Sequence, residues 1–249
     1  MTDNDGARAD IDRLWGRRGT KRPGPRSVKS GREIAEMAIL IADAGGLEAV
    51  TMRSVANKLR MSAMGLYTYF PGKHELIEVM IDEVYGELQL SFENCNGWRA
   101  RLERVAHDNW SLILRHPWLV EVEGHRPVLG PNVIAKYDFE LGAIEDVGLD
   151  DVTIDLVLTT TLSFVNGAAR AKLDAVTTAR RTGVSDADWW EARAPLLAEK
   201  LGDRYSLAQR VGGAAGAHHN APTNPDEAFE FGLRLVLDGI QLLVDQHGR

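Results

Sequence analysis

The side chains of this 249-residue sequence that could do chemistry are suited to recognition, not to bond making. Between Thr51 and Tyr69 the pattern reads as helix, tight turn, helix, with Arg60-Met61 as the connection and Ser62 as the cap of the second helix. Leu66 and Phe70, one turn apart, account for the buried side of that helix. Ala63, Met64, Gly65, Tyr67 and Thr68 are left outside, and they are small or hydrogen-bonding, not charged. Such a face suits close approach to a groove. Gly65 costs a helix about 1 kcal/mol relative to Ala. The cost is explained if a bulkier side chain would hold the backbone off the groove floor; an ordinary surface glycine is the alternative.

Bond-making chemistry has no comparable signature. The sequence contains no P-loop, G-x-G-x-x-G, G-x-S-x-G, H-E-x-x-H or C-x-x-C motif. The single cysteine, Cys95, excludes an internal disulfide. His218-His219 lie in a stretch, 212–224, rich in Gly, Ala and Asn that reads as a mobile loop, so no metal site is expected there. No cofactor is expected either. A helical enzyme and a DNA-independent scaffold protein remain the alternatives to a recognition protein. The scaffold reading leaves the outward face of residues 63–68 without a purpose.

The net charge of −7 speaks against a nucleic-acid partner until its distribution is read. Residues 1–75 carry 13 Lys/Arg against 9 Asp/Glu, and the remainder is strongly acidic. Between Leu14 and Arg32 there are seven basic residues and no acid. Among them Arg22, Arg26 and Lys29 are candidates for contact with phosphate; a solvated tail is the bland reading.

A small helical core must hold the 63–69 helix in place. Ser30-Gly31-Arg32-Glu33 has the spacing of a capping box, and Ile34, Ala38 and Ile41 follow at helical intervals until Gly45-Gly46. Thr51 caps the next helix, whose inner side is Val55, Ala56 and Leu59. After Pro71-Gly72, an amphipathic fourth helix runs from about Lys73 to Leu90. Further helices are predicted at Trp98–His116, Pro117–Glu123, Pro131–Asp146, Asp151–Asp174, Asp186–Leu201 and Pro225–Gln246. No strand-type alternation is visible. No apolar run reaches the roughly 18 residues of a membrane helix, and the polar first ten residues do not read as a secretory signal. The expectation is an all-α, cytoplasmic protein with no membrane partner. Residues 1–28 read as a flexible basic arm and 29–75 as a three-helix helix-turn-helix head. The fourth helix joins that head to a larger helical body, 76–249.

The run Thr51-Met52-Arg53-Ser54-Val55-Ala56-Asn57-Lys58-Leu59, then Met61-Ser62, then Gly65-Leu66-Tyr67-Thr68-Tyr69-Phe70 and Lys73, closely resembles the DNA-binding domain of the tetracycline-repressor family over about residues 31–80. Leu162–Ala168, and Ala228–Leu233 with Leu237-Asp238-Gly239, resemble the C-terminal domain of the tetracycline-repressor branch. The resemblance implies a homodimeric repressor that grips a palindromic operator and releases it on binding a small-molecule inducer. By position it implies that Arg53 reaches a base edge. It puts Ser62, Ala63, Met64, Gly65, Thr68 and Tyr69 on the recognition helix, and Tyr67 and Lys73 on phosphate. The full set of ligands that holds a magnesium–drug chelate in that branch is not found, although His125 is near one expected position. Candidate inducer contacts are therefore His107, Trp110, His125, Phe139, Phe164 and Asn166. Candidate dimer contacts are Gly167, Gly232, Leu235, Gly239 and Ile240, on helices expected to form a four-helix interface.

Overall fold

The computed structural model describes residues 3–16, 29–122 and 126–247, and among these there are eleven α-helices and no strand. They are α1 (Asp3–Trp15), α2 (Gly31–Gly45), α3 (Met52–Leu59), α4 (Ala63–Tyr67), α5 (Lys73–Tyr85) and α6 (Gly97–Arg115). There follow α7 (Pro131–Leu141), α8 (Asp151–Thr182), α9 (Asp186–Leu201), α10 (Ser206–His219) and α11 (Pro225–His247). The chain forms two compact units, residues 1–158 with the last three residues, and 159–246. The division falls inside α8, whereas the sequence suggested a boundary near residue 75.

In the first unit, α2 to α5 share one apolar core. Ile34, Ala38, Val55, Leu66, Phe70, Leu76 and Met80 are all essentially inaccessible, and Leu112 and Trp118 belong to the same cluster. The local signals explain the helices that build it. Ser30 and Glu33 form the capping box expected at the start of α2: the Glu33 N–H donates to Ser30 Oγ at 3.1 Å and the Ser30 N–H to the Glu33 carboxylate at 2.6 Å. Gly46, at φ 77, ends the helix.

Two segments overturn their expectation. Residues 3–15, read as part of a flexible arm, form α1, with Leu14 buried in the shared core and Trp15 Nε1 donating to the Leu129 carbonyl at 2.9 Å. Its few apolar residues hide a helix anchored at one end. The rest of the basic stretch, 17–28, lies outside the described residues. The expected loop at 212–224 is helical as far as His219. There Gly216 lies against the ring of Trp190, so a glycine that lowers intrinsic helix propensity supplies room for an aromatic neighbour.

Smaller differences concern ends. The helix expected to reach Leu90 stops at Tyr85, α4 stops at Tyr67, and α8 continues to Thr182. Pro117–Glu121 is a short 3-10 turn. Asp151–Thr182 is also long and apolar enough, by length and composition, to span a membrane, against the expectation that no segment would be. Its Val, Leu, Ile, Phe and Ala residues raise the mean hydropathy, while interspersed Thr, Ser and Asn interrupt any continuous run of large apolar residues.

In the second unit, Val165 and Ala169 of α8 and Phe229, Leu233 and Leu237 of α11 are buried. Phe164 stacks on Phe229 with centroids 6.0 Å apart. A Cβ placed at Gly232 would fall 2.5 Å from the Phe164 ring, so the two helices meet at that glycine.

Candidate functional site

The helix-turn-helix is built by backbone hydrogen bonds at three consecutive helix ends. Thr51 and Ser54 cap α3 reciprocally, each side-chain oxygen accepting from the other's N–H at 2.9 Å. Ser54 Oγ also donates to the Ala49 carbonyl at 2.8 Å, which ties the cap to the preceding turn. At the far end of α3 the chain reverses through Arg60 in the left-handed region (φ 56, ψ 40), and the Met61 N–H closes on the Ala56 carbonyl at 2.9 Å. Ser62 then caps α4, its Oγ accepting from the Gly65 N–H at 3.0 Å. A Cβ on Gly65 would lie 3.2 Å from that Oγ. The glycine therefore has a local reason beside the expected one: it keeps the cap uncrowded.

Leu66 and Phe70 are fully buried, as the spacing requires, and the opposite side of α4 is open. Met64 is 78 % exposed and Tyr67 49 %; Ser62, Ala63, Thr68 and, on α3, Arg53 are exposed as well. These residues are small or hydrogen-bonding apart from the apolar Met64, and they stand beside the guanidinium of Arg53. Thr68 Oγ1 donates to the Gly65 carbonyl at 2.6 Å, which leaves its lone pairs to accept. Tyr69 is only part-exposed and packs against the core. Lys73 is part-buried too, and its Nζ donates to the Leu47 carbonyl at 2.9 Å. It thereby braces the start of α5 as well as carrying a charge. Lys29 is part-exposed, its Nζ 3.8 Å from Glu33 Oε1. Arg22 and Arg26 lie outside the described residues.

The end of α6 grips this head. His116 is buried, with Nδ1 2.8 Å from Asp43 Oδ1 and Nε2 3.1 Å from Glu87 Oε2. Trp118 Nε1 donates to the same Asp43 oxygen at 2.8 Å. Glu121 accepts from the Leu47 N–H at 3.1 Å. The Leu47 peptide is thus held by Glu121 at its N–H and by Lys73 at its carbonyl. Sequence reasoning singled out Lys73 for another task and missed Asp43, Leu47, Glu87, His116, Trp118 and Glu121, because their partners lie up to 75 positions away and no local spacing links them.

The expected inducer contacts have different local surroundings. Trp110 is buried and His107 part-buried on α6. Phe139 stacks on Phe92 with centroids 4.0 Å apart. Phe164 is part-buried and packs against Phe229 and Gly232 in the second unit. Asn166 is exposed and bonds back to the Leu162 carbonyl at 2.9 Å, as a helix-surface amide does. His125 lies outside the described residues.

The first unit does hold a buried polar set that the sequence did not mark. Glu140 accepts from Asn109 Nδ2 at 2.6 Å and from Lys136 Nζ at 2.6 Å, and Lys136 sits 5.0 Å from the centre of the Tyr85 ring. Burial, and then the charge of Glu140, pushes the Tyr85 hydroxyl above its ordinary value. A separate cavity of about 280 Å³ is lined by Gly97, Trp98, Arg101, Ala143, Asp146 and Val147.

The expected dimer contacts divide. Gly167, Leu235 and Gly239 are exposed, and Phe231 and Leu242 continue the same apolar face of α11. Ile240 is buried within the chain and Gly232 receives the chain's own Phe164, so neither is free to meet a second copy. Their positions alternate with the exposed ones at helical spacing, and the sequence alone does not say which side faces inward.

Residues 34–80 match the model of bacterial regulatory proteins of the tetR family, and residues 92–244 that of the tetracyclin repressor-like C-terminal domain. The chain is similar to the HTH-type transcriptional repressor DrrR1 of Streptomyces coeruleorubidus, at 38 % identity over 245 residues, 95 % of this chain and 86 % of that protein. Apo ActR of Streptomyces coelicolor has a similar fold, with a TM-score of 0.69 and 20 % identity across 89 % of this chain and 99 % of that one. ActR in complex with actinorhodin aligns with a TM-score of 0.65, at 20 % identity over 88 % of this chain and 99 % of that one.

Proposed function

Since the chain belongs to the tetR family of bacterial regulatory proteins, we propose that it works as a homodimeric transcriptional repressor, holding a palindromic operator until a small molecule releases it. The observation that carries the reading is the open face of α4. Its buried side is satisfied by Leu66 and Phe70, while Met64, Tyr67 and Thr68 project from a rigid, triply capped helix-turn-helix. In this reading Arg53 reads a base edge, and Ser62, Ala63, Met64, Gly65, Thr68 and Tyr69 face the major groove. Tyr67, Lys73 and the arm residues Arg22, Arg26 and Lys29 meet phosphate.

One such helix reads few bases, so two copies are needed, spaced by about one turn of DNA. The exposed apolar side of α11, with Phe231, Leu235 and Leu242, and that of α8, with Val152 and Leu156, are the faces for the second copy. This assignment also gives the apolar α8 a protein partner, in keeping with a cytoplasmic protein.

Release requires that the ligand prefer a conformation whose recognition helices are misplaced for DNA. The neighbour ActR holds actinorhodin in a fold of this kind. The buried Asn109, Lys136 and Glu140, beside the part-buried ring of Tyr85, give the helical body polar anchors next to an aromatic group. They suit an aromatic ligand with a few polar substituents. The end of α6 is the route to DNA, because His116, Trp118 and Glu121 all land on the 43–47 segment that leads into α3.

An electrophoretic shift assay with the promoter fragment upstream of the protein's own gene tests the reading. Retention that survives excess non-specific duplex is expected. Retention lost equally to any competitor duplex sinks the operator assignment, and no binding at all favours a scaffold.

A further inference from the structure

Outside the DNA-binding face, three ligand-type side chains converge where the sequence suggested only a loop. His218 and His219 are the last residues of α10. The chain then reverses at Asn220, which is left-handed at φ 49, and Asn224 caps α11 by accepting from the Glu227 N–H at 3.2 Å. That reversal brings Glu227, in the first turn of α11, back against both histidines. His218 Nε2 lies 3.0 and 3.2 Å from the two Glu227 oxygens, and His219 Nδ1 lies 3.1 Å from Oε2. Adjacent helical residues point in different directions. They reach a common point here because one offers its distal ring nitrogen and the other its proximal one.

We propose that His218, His219 and Glu227 form a binding site for a divalent first-row transition ion such as zinc, which fastens the end of α10 to the start of α11.

Three observations carry this. All the donor atoms lie within 4.8 Å of one another. A tetrahedral zinc with bonds of about 2.0–2.1 Å spaces its ligand atoms by about 3.3 Å, close to the 3.0–3.2 Å between the histidine nitrogens and the Glu227 oxygens. The His219 Nδ1 is buried and, although 3.1 Å from the carboxylate, is not aligned with it as a hydrogen bond. A hydrogen bond directs nitrogen at oxygen, whereas a shared cation needs both lone pairs directed at a third point. Two imidazoles and one carboxylate match the preferences of zinc over magnesium or calcium, and leave a position for water.

The clip has a structural purpose. No residue of α9 is buried, and Gly216 is the one buried residue of α10, so little apolar surface fixes this hairpin.

The test uses the full-length protein, stripped with chelator and titrated with zinc by calorimetry, beside E227Q and H219A. Wild type should take up one ion per chain, less tightly as pH falls through the imidazole range because both nitrogens must be unprotonated. Each variant should bind at least about tenfold more weakly, with an unchanged helical circular-dichroism signal. Zinc should raise the melting temperature of wild type more than that of E227Q. Equal zinc affinity in all three proteins, or no saturable uptake by wild type, overturns the proposal and leaves a surface ion pair.

Discussion

Arg53 and Tyr67 are both exposed beside α4, yet the proposed interface gives them different work. A guanidinium at a base edge discriminates between sequences, while a phenol at phosphate holds register without reading. Replacing Arg53 with Ala should cost about 1–3 kcal/mol at the base it reads and relax preference there. Tyr67→Phe should weaken all operators alike. Shift titrations over a set of single-base operator variants separate the two, and a uniform loss with Arg53→Ala would refute its assignment. Buried charge gives a prediction of another kind. Lys136 and Glu140 are both buried and 2.6 Å apart. Lys136→Met strands the carboxylate and should destabilise the fold by about 3–5 kcal/mol in chemical denaturation. Adding Glu140→Gln, which keeps an acceptor for Asn109, should recover most of the loss. A single variant as stable as wild type would show that the pair is not held against its neighbours as described.

At the scale of elements, the caps were legible and the unmarked helices were not. Ser30 with Glu33, Thr51, and Ser62 each announce a helix start in the local sequence, and the structure uses all three. The outward side of α4 could be read from Leu66 and Phe70 alone. By contrast α1 offers only Ile11, Leu14 and Trp15 as large apolar residues, and α10 carries Gly212, Gly213 and Gly216. Their helices depend on distant partners, Leu129 for the first and Trp190 for the second. The capping box invites a measurement. Ser30→Ala should cost about 1 kcal/mol. The Glu33 carboxyl is held below its ordinary value, first by the Ser30 backbone N–H and then by its hydroxyl. A depressed folded value means that its contribution is present above the unfolded pKa and fades as pH falls through the folded one. Amide protection at the start of α2, measured relative to the intrinsic exchange rate at each pH, should therefore fall in acid for wild type, and less so for Ser30→Ala, where the cap is already gone.

For the molecule as a whole, α11 provides a test with two distinguishable outcomes. Leu235 is 58 % exposed and Ile240 5 %. Leu235→Asp should give folded monomers in sedimentation that no longer hold operator. Ile240→Asp should disturb the fold itself, seen as lost helicity. Leu235→Asp that sediments as a dimer and binds DNA would move the interface elsewhere. The grip of α6 on the 43–47 segment bears on how such proteins could be recombined. A builder of hybrid regulators would cut near residue 75 to transplant a reading head onto a foreign sensor. That cut parts Asp43 from His116 and Trp118, and Leu47 from Glu121, while Lys73 and Leu47 travel together. A transplanted head would keep its specificity but arrive without the contacts by which a sensor steers it, unless the acceptor carries His, Trp and Glu at the matching places.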